Sequence, residues 1–444
     1  MNKRQYLSLS LSKTIFALLC VAVTASFSLT TARAQSQLGP YDRSNASTML
    51  DALKDDLKNN YYDPNFRGMD LEARFKETQG KIKQAQTRDQ LIIALAQFML
   101  DLNDSHTFFI PPSRSASVEY GWEMQMIGDN CFVTAVKPKT DAEAKGLKTG
   151  DAILAVDGYK PSRDNLWKMY YRYYALMPTR SIRLLVQSPN DAQPREIDVL
   201  SKIEQGAAVT DWGNLFVRWL KDGGDVDHDR FYEVGDELLI WKMPTFVVSE
   251  SHVDAIMARA RKYKSLIIDL RGNGGGYVDT LSRLVSNLFD RDVNIAALKG
   301  RKKMKPILAK TRGKDVFKGQ LVVLVDSESG SASEVLARVV QLEKRGTVIG
   351  DRSAGAVMTA DHYGHETGVG RVLYFGSSIT IADMVMSDGK SLENVGVSPD
   401  ELLLPKGADL AAKRDPVLAR AAESLGIKLD AEKAGTLFPK EWKK

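Results

Sequence analysis

The alternation of apolar and polar residues divides the chain into three parts. Up to about residue 100, apolar residues recur at helical spacing, and three successive helices are expected there. Residues 117–203 contain short β-branched runs separated by glycine turns, which are typical of a small β domain. From residue 204 onward, short buried strands alternate with amphipathic helices. The pattern predicts an α+β / α/β multidomain protein.

The first residues are typical of a targeting segment rather than of a folded element. Lys3 and Arg4 precede an apolar run, and Ala32-Arg33-Ala34 matches a small-x-small cleavage site. The run is too short for a membrane-spanning helix. We therefore expect export to the periplasm or beyond a bacterial cell, cleavage after Ala34, and no stable membrane anchor. The expected boundaries are 1–34 for the signal peptide, 35–115 for a helical domain, 117–203 for the β domain and 204–444 for an α/β core with a C-terminal helix.

Charge and cysteine content narrow the function classes. The chain of 444 residues has 61 Lys and Arg against 56 Asp and Glu, and four basic residues lie in the targeting segment, which leaves a net charge of about +1. This balance gives no electrostatic footprint for a nucleic-acid partner. Beyond that segment only Cys131 remains, so no intramolecular disulfide can form, and its apolar surroundings indicate a buried structural residue.

The most informative stretch runs from residue 320 to residue 354. A buried strand is predicted over 321–325, followed by a small-residue turn and a helix. Ser331 lies where strand gives way to helix, near unpaired backbone N–H groups and the positive end of the helix dipole. That environment stabilises an oxyanion and suits acyl transfer. Ser331 and Glu334 also form a capping box, so an ordinary helix start is the alternative.

Two other segments hold candidate chemistry. Ser105 and His106 follow the third helix beside apolar residues, where an imidazole can be held at the mouth of a cleft, although a satisfied surface or core histidine is the alternative. A run of glycines around Asn273 predicts a turn whose amides approach a ligand closely, with a simple tight turn as the alternative. His362 and His365 lack further ligands at metal-site spacing, so neither a metal nor a cofactor is expected.

Three motifs taken together resemble one family. They are SLIIDLRGNGGG (265–276), SGSASEVLA (329–337) and DGKSLENVGVSPD (388–400). In this order they resemble the C-terminal processing peptidase and tricorn-core family of serine endopeptidases, which implies a ClpP/crotonase-like α/β protease core. In the β domain, GLKTGDAILAVDG (146–158) resembles a circularly permuted PDZ domain.

The resemblance implies roles for named residues. By motif position Ser331 is the nucleophile, and the amides of Gly275 and Ala332 form the oxyanion hole, with Gly274 or Gly276 as alternatives to Gly275. Where processing peptidases have the lysine of a Ser–Lys dyad, this chain has Ala356.

Tricorn-like members of the family instead use a Ser-His pair and a glutamate. Ser105, His106 and Glu393 match those places, so His106 is expected to act as the general base, oriented by Ser105 and Glu393. A Ser–Lys enzyme with a displaced lysine remains a further alternative.

The PDZ resemblance adds a binding expectation. Such domains add an extended peptide to a sheet edge and capture its C-terminal carboxylate. The corresponding loop here is Tyr120, Gly121 and Trp122, with a spacer that binds nothing as the alternative. The leading hypothesis is an exported serine endopeptidase acting on unstructured protein or peptide tails. A non-catalytic peptide-binding scaffold with a degenerate site is the competing hypothesis, and the sequence leaves the oligomeric state open.

Overall fold

Four β-sheets with packed helices make up the part of the chain that is described, and one of the four is a two-stranded ribbon. The computed structural model describes residues 38–112, 116–205, 211, 228–370 and 372–442, so the expected signal peptide lies outside the described residues. The mixed α/β architecture with several parts agrees with the predicted class.

The front of the chain is helical, as predicted. It comprises α1 (Asp42–Asn60), α2 (Leu71–Gln84) and α3 (Arg88–Leu100). Side chains cap two of these helices: Asp70 accepts a hydrogen bond from the N–H of Ala73 at 2.9 Å, and Thr87 from that of Gln90 at 3.2 Å. After α3 the chain turns through residues 101–107 into strand β1 (Phe108–Ile110). The Ser105-His106 pair therefore lies in a short connection fixed at both ends.

The β domain follows. A two-stranded ribbon pairs β2 (Ala116–Glu119) with β8 (Lys202–Gln205). The five-stranded antiparallel sheet has the order β3-β4-β5-β6-β7, with strands β3 (Trp122–Ile127), β4 (Asn130–Val136), β5 (Ala152–Val156), β6 (Ser181–Gln187) and β7 (Arg195–Leu200). Two helices pack with it, α4 (Asp141–Ala144) and α5 (Leu166–Tyr170), and α5 continues as a π-helical turn (Tyr171–Leu176). Cys131 is buried, and burial raises the pKa of its thiol to about 12.

The core sheet places two turns of the predicted site side by side. Its six strands have the order β18-β15-β14-β11-β10-β9. They are β9 (Arg230–Val234), β10 (Leu238–Lys242), β11 (Ser265–Asp269), β14 (Gln320–Val325), β15 (Thr347–Gly350) and β18 (Glu401–Leu402). Strands β11 and β14 pair in parallel, with Asp269 opposite Leu324. Because both strands end at the same edge, the glycine turn after β11 lies next to the Ser331 turn after β14.

Helices cover both faces of this sheet, which explains its continuously apolar strands. On one face lie α6 (Glu250–Ala260), α7 (Val278–Leu288) and α8 (Ala332–Leu342). On the other lie α10 (Pro416–Ser424) and α11 (Ala431–Leu437), preceded by the short α9 (Gly407–Ala411). The tail predicted as one helix is therefore interrupted, because Pro416 starts a new helix capped by Asp415.

A second five-stranded sheet joins the front helices to the core. It contains β1, β12 (Val293–Gly300), β13 (Ile307–Ala309), β16 (Met358–Thr367) and β17 (Leu373–Met386). Strand β17 pairs with β1 on one side and with β12 further along, so it reaches from the front helices to the core. Among the described residues, none of the helices combines the length and apolar character needed to cross a membrane.

Candidate active site

Ser331 has an unusual backbone conformation. Its φ is +52° and its ψ is −116°, a region that costs a non-glycine residue about 1–3 kcal/mol. The Ser331 N–H donates to the carbonyl of Ala356 at 2.9 Å and to Glu334 Oε2 at 3.0 Å. The predicted capping relation with Glu334 is therefore present, and it holds Ser331 in a strained turn rather than in an ordinary helix start.

Glu334 is fully buried and accepts four hydrogen bonds. Its Oε2 accepts from the N–H groups of Ser331 and, at 2.9 Å, Ala356. Its Oε1 accepts from the Ser353 hydroxyl at 2.6 Å and the Gly355 N–H at 2.7 Å. Burial raises the pKa of Glu334 to about 7, against the lowering effect of these donors. This carboxylate fastens the loop after β15 to the beginning of α8.

The glycine turn after β11 packs directly on Ser331. A Cβ atom on Gly275, whose φ is +104°, would lie 2.7 Å from the Cβ of Ser331, so only glycine fits there. Asn273 links the two turns, because its carbonyl accepts from the Gly330 N–H at 3.0 Å and from the Ser333 hydroxyl at 2.8 Å. The structure thus brings Ser331, Ala332 and Gly275 together.

The two amides expected in the oxyanion hole differ in their present partners. No hydrogen bond of the described residues uses the Ala332 N–H. The Gly275 N–H, in contrast, donates to Asn273 Oδ1 at 2.9 Å. Asn273 is itself buried and donates to the Met243 carbonyl at 2.9 Å. Among the described residues, the Ala332 N–H therefore has no hydrogen-bond acceptor, whereas the Gly275 N–H has one.

Ser105, His106 and Glu393 form a chain of hydrogen bonds. The Ser105 hydroxyl lies 2.7 Å from His106 Nδ1 and donates to Glu393 Oε2 at 2.8 Å, while the Ser105 N–H donates to Glu393 Oε1 at 2.9 Å. When Glu393 is ionised it takes the single hydroxyl proton, so the Ser105 oxygen can only accept from Nδ1. This arrangement selects the imidazole tautomer that leaves Nε2 unprotonated.

Glu393 also connects this chain to the Ser331 side. Its Oε2 accepts from the Val357 N–H at 2.9 Å, and Val357 follows Ala356, whose carbonyl accepts from Ser331. The contacts therefore run from the Ser331 backbone through residues 356–357 and Glu393 to Ser105 and His106. Burial raises the pKa of Glu393, while the hydrogen bonds from Ser105 lower it.

Buried polar residues hold His106 in place. Its N–H donates to Asp104 Oδ1 at 2.9 Å, and its carbonyl accepts from the Ser378 hydroxyl at 2.6 Å. Asp104 is fixed in turn by the hydroxyls of Tyr61 at 3.0 Å and Thr380 at 2.6 Å. Desolvation by burial lowers the pKa of the His106 imidazole; Asp104 raises it and His362 lowers it further. The lowered pKa favours the neutral form of the imidazole at pH 7.

Ala356 stands where processing peptidases have the lysine of a Ser–Lys dyad, and only its backbone groups make hydrogen bonds at the site. Ala356 contributes its carbonyl to Ser331 and its N–H to Glu334. Lys242, at the end of the strand beside the glycine turn, is bound to the Arg271 carbonyl and lies 3.4 Å from Asp269. Among the residues that the structure describes, no cluster of three His, Cys, Asp or Glu side chains could hold a metal ion.

The three residues expected to bind a peptide are enclosed. Tyr120 and Trp122 are only 1% and 5% exposed. The Tyr120 hydroxyl accepts from the Thr179 N–H at 3.0 Å. A Cβ on Gly121 would lie 2.6 Å from Thr140, so this loop is also tightly packed. These side chains form part of the β-domain core, and their binding role stays a prediction.

The sequence missed several residues that hold the site together. Asp104 and Ser378 fix the backbone of His106, and Val357 joins the Glu393 carboxylate to the Ser331 side. Asp104 belongs to the Asp-Ser-His run at 104–106, but that run does not show that its carboxylate accepts from the His106 N–H. Nothing in a strand as apolar as β17 distinguishes Ser378.

Comparison with known proteins agrees with the three-motif resemblance. Residues 238–403 match the model of Peptidase family S41. The chloroplastic C-terminal processing peptidase of Tetradesmus obliquus is 24% identical over 381 residues, which cover 78% of this chain and 75% of that protein. The carboxy-terminal-processing protease of Bartonella bacilliformis is 25% identical over 287 residues, 63% of this chain and 60% of that protein. The tail-specific protease of Haemophilus influenzae is 23% identical over 305 residues, and the matched part spans 41% of its length.

Solved structures share the overall fold. Mature CPAF complexed with lactacystin superposes with a TM-score of 0.63 at 16% identity and covers 87% of this chain and 97% of its own. The photosystem II D1 C-terminal processing protease gives a TM-score of 0.50 at 20% identity, and the match covers 88% of this chain and 99% of that one. At such identities the likeness concerns the fold, so the chemistry depends on the residues of this chain.

Proposed function

We propose that this chain, whose residues 238–403 match the model of Peptidase family S41, is a serine endopeptidase with Ser331 as nucleophile and His106 as general base. Its substrates are unstructured protein or peptide segments, since the relatives are named as processing and tail-specific proteases. The targeting pattern of residues 1–34 supports export to the periplasm or beyond.

The continuous network between the two halves of the site carries this proposal. It links the Ser331 N–H to Ala356 at 2.9 Å and the Val357 N–H to Glu393 at 2.9 Å. It then links Glu393 to Ser105 at 2.8 Å and Ser105 to His106 at 2.7 Å. A base and a nucleophile tied to the same carboxylate network are held in a fixed relation, which acyl transfer requires.

The chemistry follows from this arrangement. His106 Nε2 takes the Ser331 hydroxyl proton while the Ser331 oxygen attacks the peptide carbonyl. The tetrahedral intermediate collapses as its C–N bond breaks, and the protonated His106 gives its proton to the leaving amine. Water, deprotonated by the same imidazole, then hydrolyses the ester and regenerates Ser331. Through Ser105, the carboxylate of Glu393 keeps Nδ1 protonated and stabilises the imidazolium.

Backbone amides stabilise the developing oxyanion. Ala332 supplies one donor, since its N–H follows the nucleophile and has no other partner among the described hydrogen bonds. The glycine turn supplies the other. Gly275 does so once its N–H is released from Asn273 Oδ1, and Gly274 and Gly276 remain the alternatives because the run packs against Ser331.

The test uses cleavage of unfolded casein by purified protein. Ser331→Ala should lower the rate by about 10³-fold or more, because the nucleophile is removed. Ser251→Ala, an exposed serine of α6, is the matched control and should cleave at the wild-type rate. Cleavage that persists unchanged in Ser331→Ala would refute the nucleophile.

A non-catalytic scaffold is the second candidate function. The observation that favours it is the Gly275 N–H, which is closed by Asn273 in this conformation. Retained binding of a casein-derived peptide without cleavage by wild-type protein would support it. A displaced-lysine mechanism would instead be supported if His106→Ala kept full activity.

A further inference from the structure

Strand β3 is the edge of the β-domain sheet where a peptide would be expected to add. It pairs with β4 on one side and is the terminal strand of that five-stranded sheet. Strand addition requires free backbone N–H and C=O groups on the outer side of such a strand. Alternate residues of a strand direct these groups to the same side, so Met124 and Met126 share one edge.

A tyrosine hydroxyl makes hydrogen bonds with both backbone groups of Met124. Tyr170, the last residue of α5, accepts from the Met124 N–H at 3.2 Å and donates to the Met124 carbonyl. One hydroxyl thereby satisfies both groups that an added strand would use. Burial raises the pKa of Tyr170, so the hydroxyl remains protonated and continues to donate.

The turn before the nucleophile occupies the next position along the edge. The Ser327 hydroxyl donates to the Met126 carbonyl at 2.5 Å, and the Gln125 side chain donates to Asp326 Oδ2 at 2.6 Å. Asp326 also accepts from the Gly272 N–H at 3.0 Å at the start of the glycine turn. Strand β3 is therefore docked on the turns that carry Ser331 and the oxyanion amides.

A second contact fastens the same domain to the loop after β15. Arg163 binds Asp351 at 2.5 Å and donates to the carbonyls of Gly128 and Arg352, each at 2.9 Å. The Gly128 N–H donates to the same Asp351 carboxylate at 2.8 Å. The Arg163 and Asp351 side chains are 13% and 8% exposed, so solvent screens this ion pair little. The loop that it fixes leads to Ala356.

We propose that the β domain is a brace whose β3 edge is closed by Tyr170 and the Ser327 turn, and that the enzyme accordingly cleaves internal unstructured segments without reading a free C-terminal carboxylate. This inference rests on the proposed endopeptidase function. A peptide adding to β3 would have to displace the Tyr170 hydroxyl and separate Ser327 from Met126, which would also disturb the nucleophile turn.

The first test compares two peptides that differ only at the C-terminus. Each carries the same casein-derived internal sequence between a fluorophore and a quencher, one ending in a free carboxylate and the other in an amide. The proposal predicts kcat/KM values within about twofold of each other, because no site binds the carboxylate. A preference of about tenfold or more for the free carboxylate would overturn it.

The second test opens the edge. Tyr170→Phe keeps the ring and frees the Met124 backbone, so it should strengthen binding of the free-carboxylate peptide relative to wild type. Tyr174→Phe, one turn further along, is the matched control and should not. Equal and tight carboxylate binding in wild type and Tyr170→Phe would show that the hydroxyl does not close the edge.

Fluorescence anisotropy with Ser331→Ala protein separates this inference from the proposed function. If wild-type protein cleaves neither peptide, the endopeptidase function fails. Even without catalysis, anisotropy reports whether the protein distinguishes the two peptide ends. A complex specific for the free carboxylate would overturn the proposal that the β domain is a brace.

Discussion

At the scale of single residues, one buried carboxylate organises the turn that carries Ser331, the proposed nucleophile. Glu334 was predicted as half of a capping box, and Ser331 as either a cap or a nucleophile. The capping relation is present, because Glu334 accepts from the Ser331 N–H, and the same carboxylate accepts from three donors in the loop at 353–356. The role of Ser331 as nucleophile stays a prediction. The spacing of Ser331 and Glu334 predicts the capping box. It does not predict the contacts of Glu334 with the loop at 353–356, which lies about twenty residues further along the chain.

Replacing Glu334 should reveal this positioning role. Glu334→Gln has a single acceptor oxygen and turns an NH₂ group toward N–H donors, so kcat should fall about 10–100-fold at pH 8. Glu366→Gln, an exposed glutamate of β16, is the control. A variant with wild-type kcat would show that the carboxylate does not position Ser331.

The pH profile distinguishes Glu334 from His106. A protonated Glu334 can no longer accept all four hydrogen bonds, so wild-type activity should rise as pH increases through about 7. The loss of activity that reports protonation of His106 should occur below pH 6.5, because burial lowers the pKa of the imidazole. Glu334→Gln should lose the transition near pH 7 and keep the one below pH 6.5. The same single transition in wild type and in Glu334→Gln would contradict this assignment.

At the scale of elements, the sequence predicted what strong periodicity determines. The strand predicted over 321–325 is β14, and the helix predicted after the small-residue turn is α8. Strand β16 was not predicted, because its residues are mostly polar and its partner β17 supplies the apolar face. Such a strand is defined by its pairing, which a local pattern does not contain.

The interrupted tail shows the same limitation. Asp415 caps α10 through the Leu418 N–H at 2.9 Å and also binds Arg271, which holds Asp269 as well. The helix break is thus fixed by an ion pair with a residue distant in sequence. Pro416 was the local signal for it.

A matched pair of variants at Asp415 separates the cap from the ion pair. Asp415→Ala removes both and should lower the free energy of unfolding by about 3 kcal/mol. Asp415→Asn keeps a good cap and should lower it by roughly half as much. Urea denaturation measures both values. Equal losses in the two variants would show that the cap contributes nothing.

At the scale of the whole molecule, the front helices and the later α/β part of the chain contribute side chains to one apolar cluster. Phe375 and Ile379 of β17 belong to the apolar cluster formed by α1 and α3. Asp56 of α1 accepts from His365 at 2.8 Å and from the Ser377 hydroxyl at 2.6 Å. The boundary expected at residue 115 stays a prediction, but these contacts indicate that the part carrying His106 folds against the part carrying Ser331.

This coupling predicts a shared unfolding transition. Phe375→Ala removes a ring that is 1% exposed and should lower the free energy of unfolding by about 3–5 kcal/mol. Hydrogen exchange should accelerate together in peptides from α1 and from β11. Leu308→Ala, at an exposed position of β13, should change stability by about 0.5 kcal/mol or less. Acceleration confined to α1 would show that the two parts unfold independently.

The central claim is that an imidazole from the helical front activates the Ser331 hydroxyl. It is tested most directly by labelling with a fluorophosphonate probe, followed by peptide mass mapping in wild type and His106→Ala. The account predicts a single adduct on Ser331 in wild type, formed about 10²-fold or more slowly in His106→Ala. An adduct at another residue, or an unchanged labelling rate in His106→Ala, would contradict it.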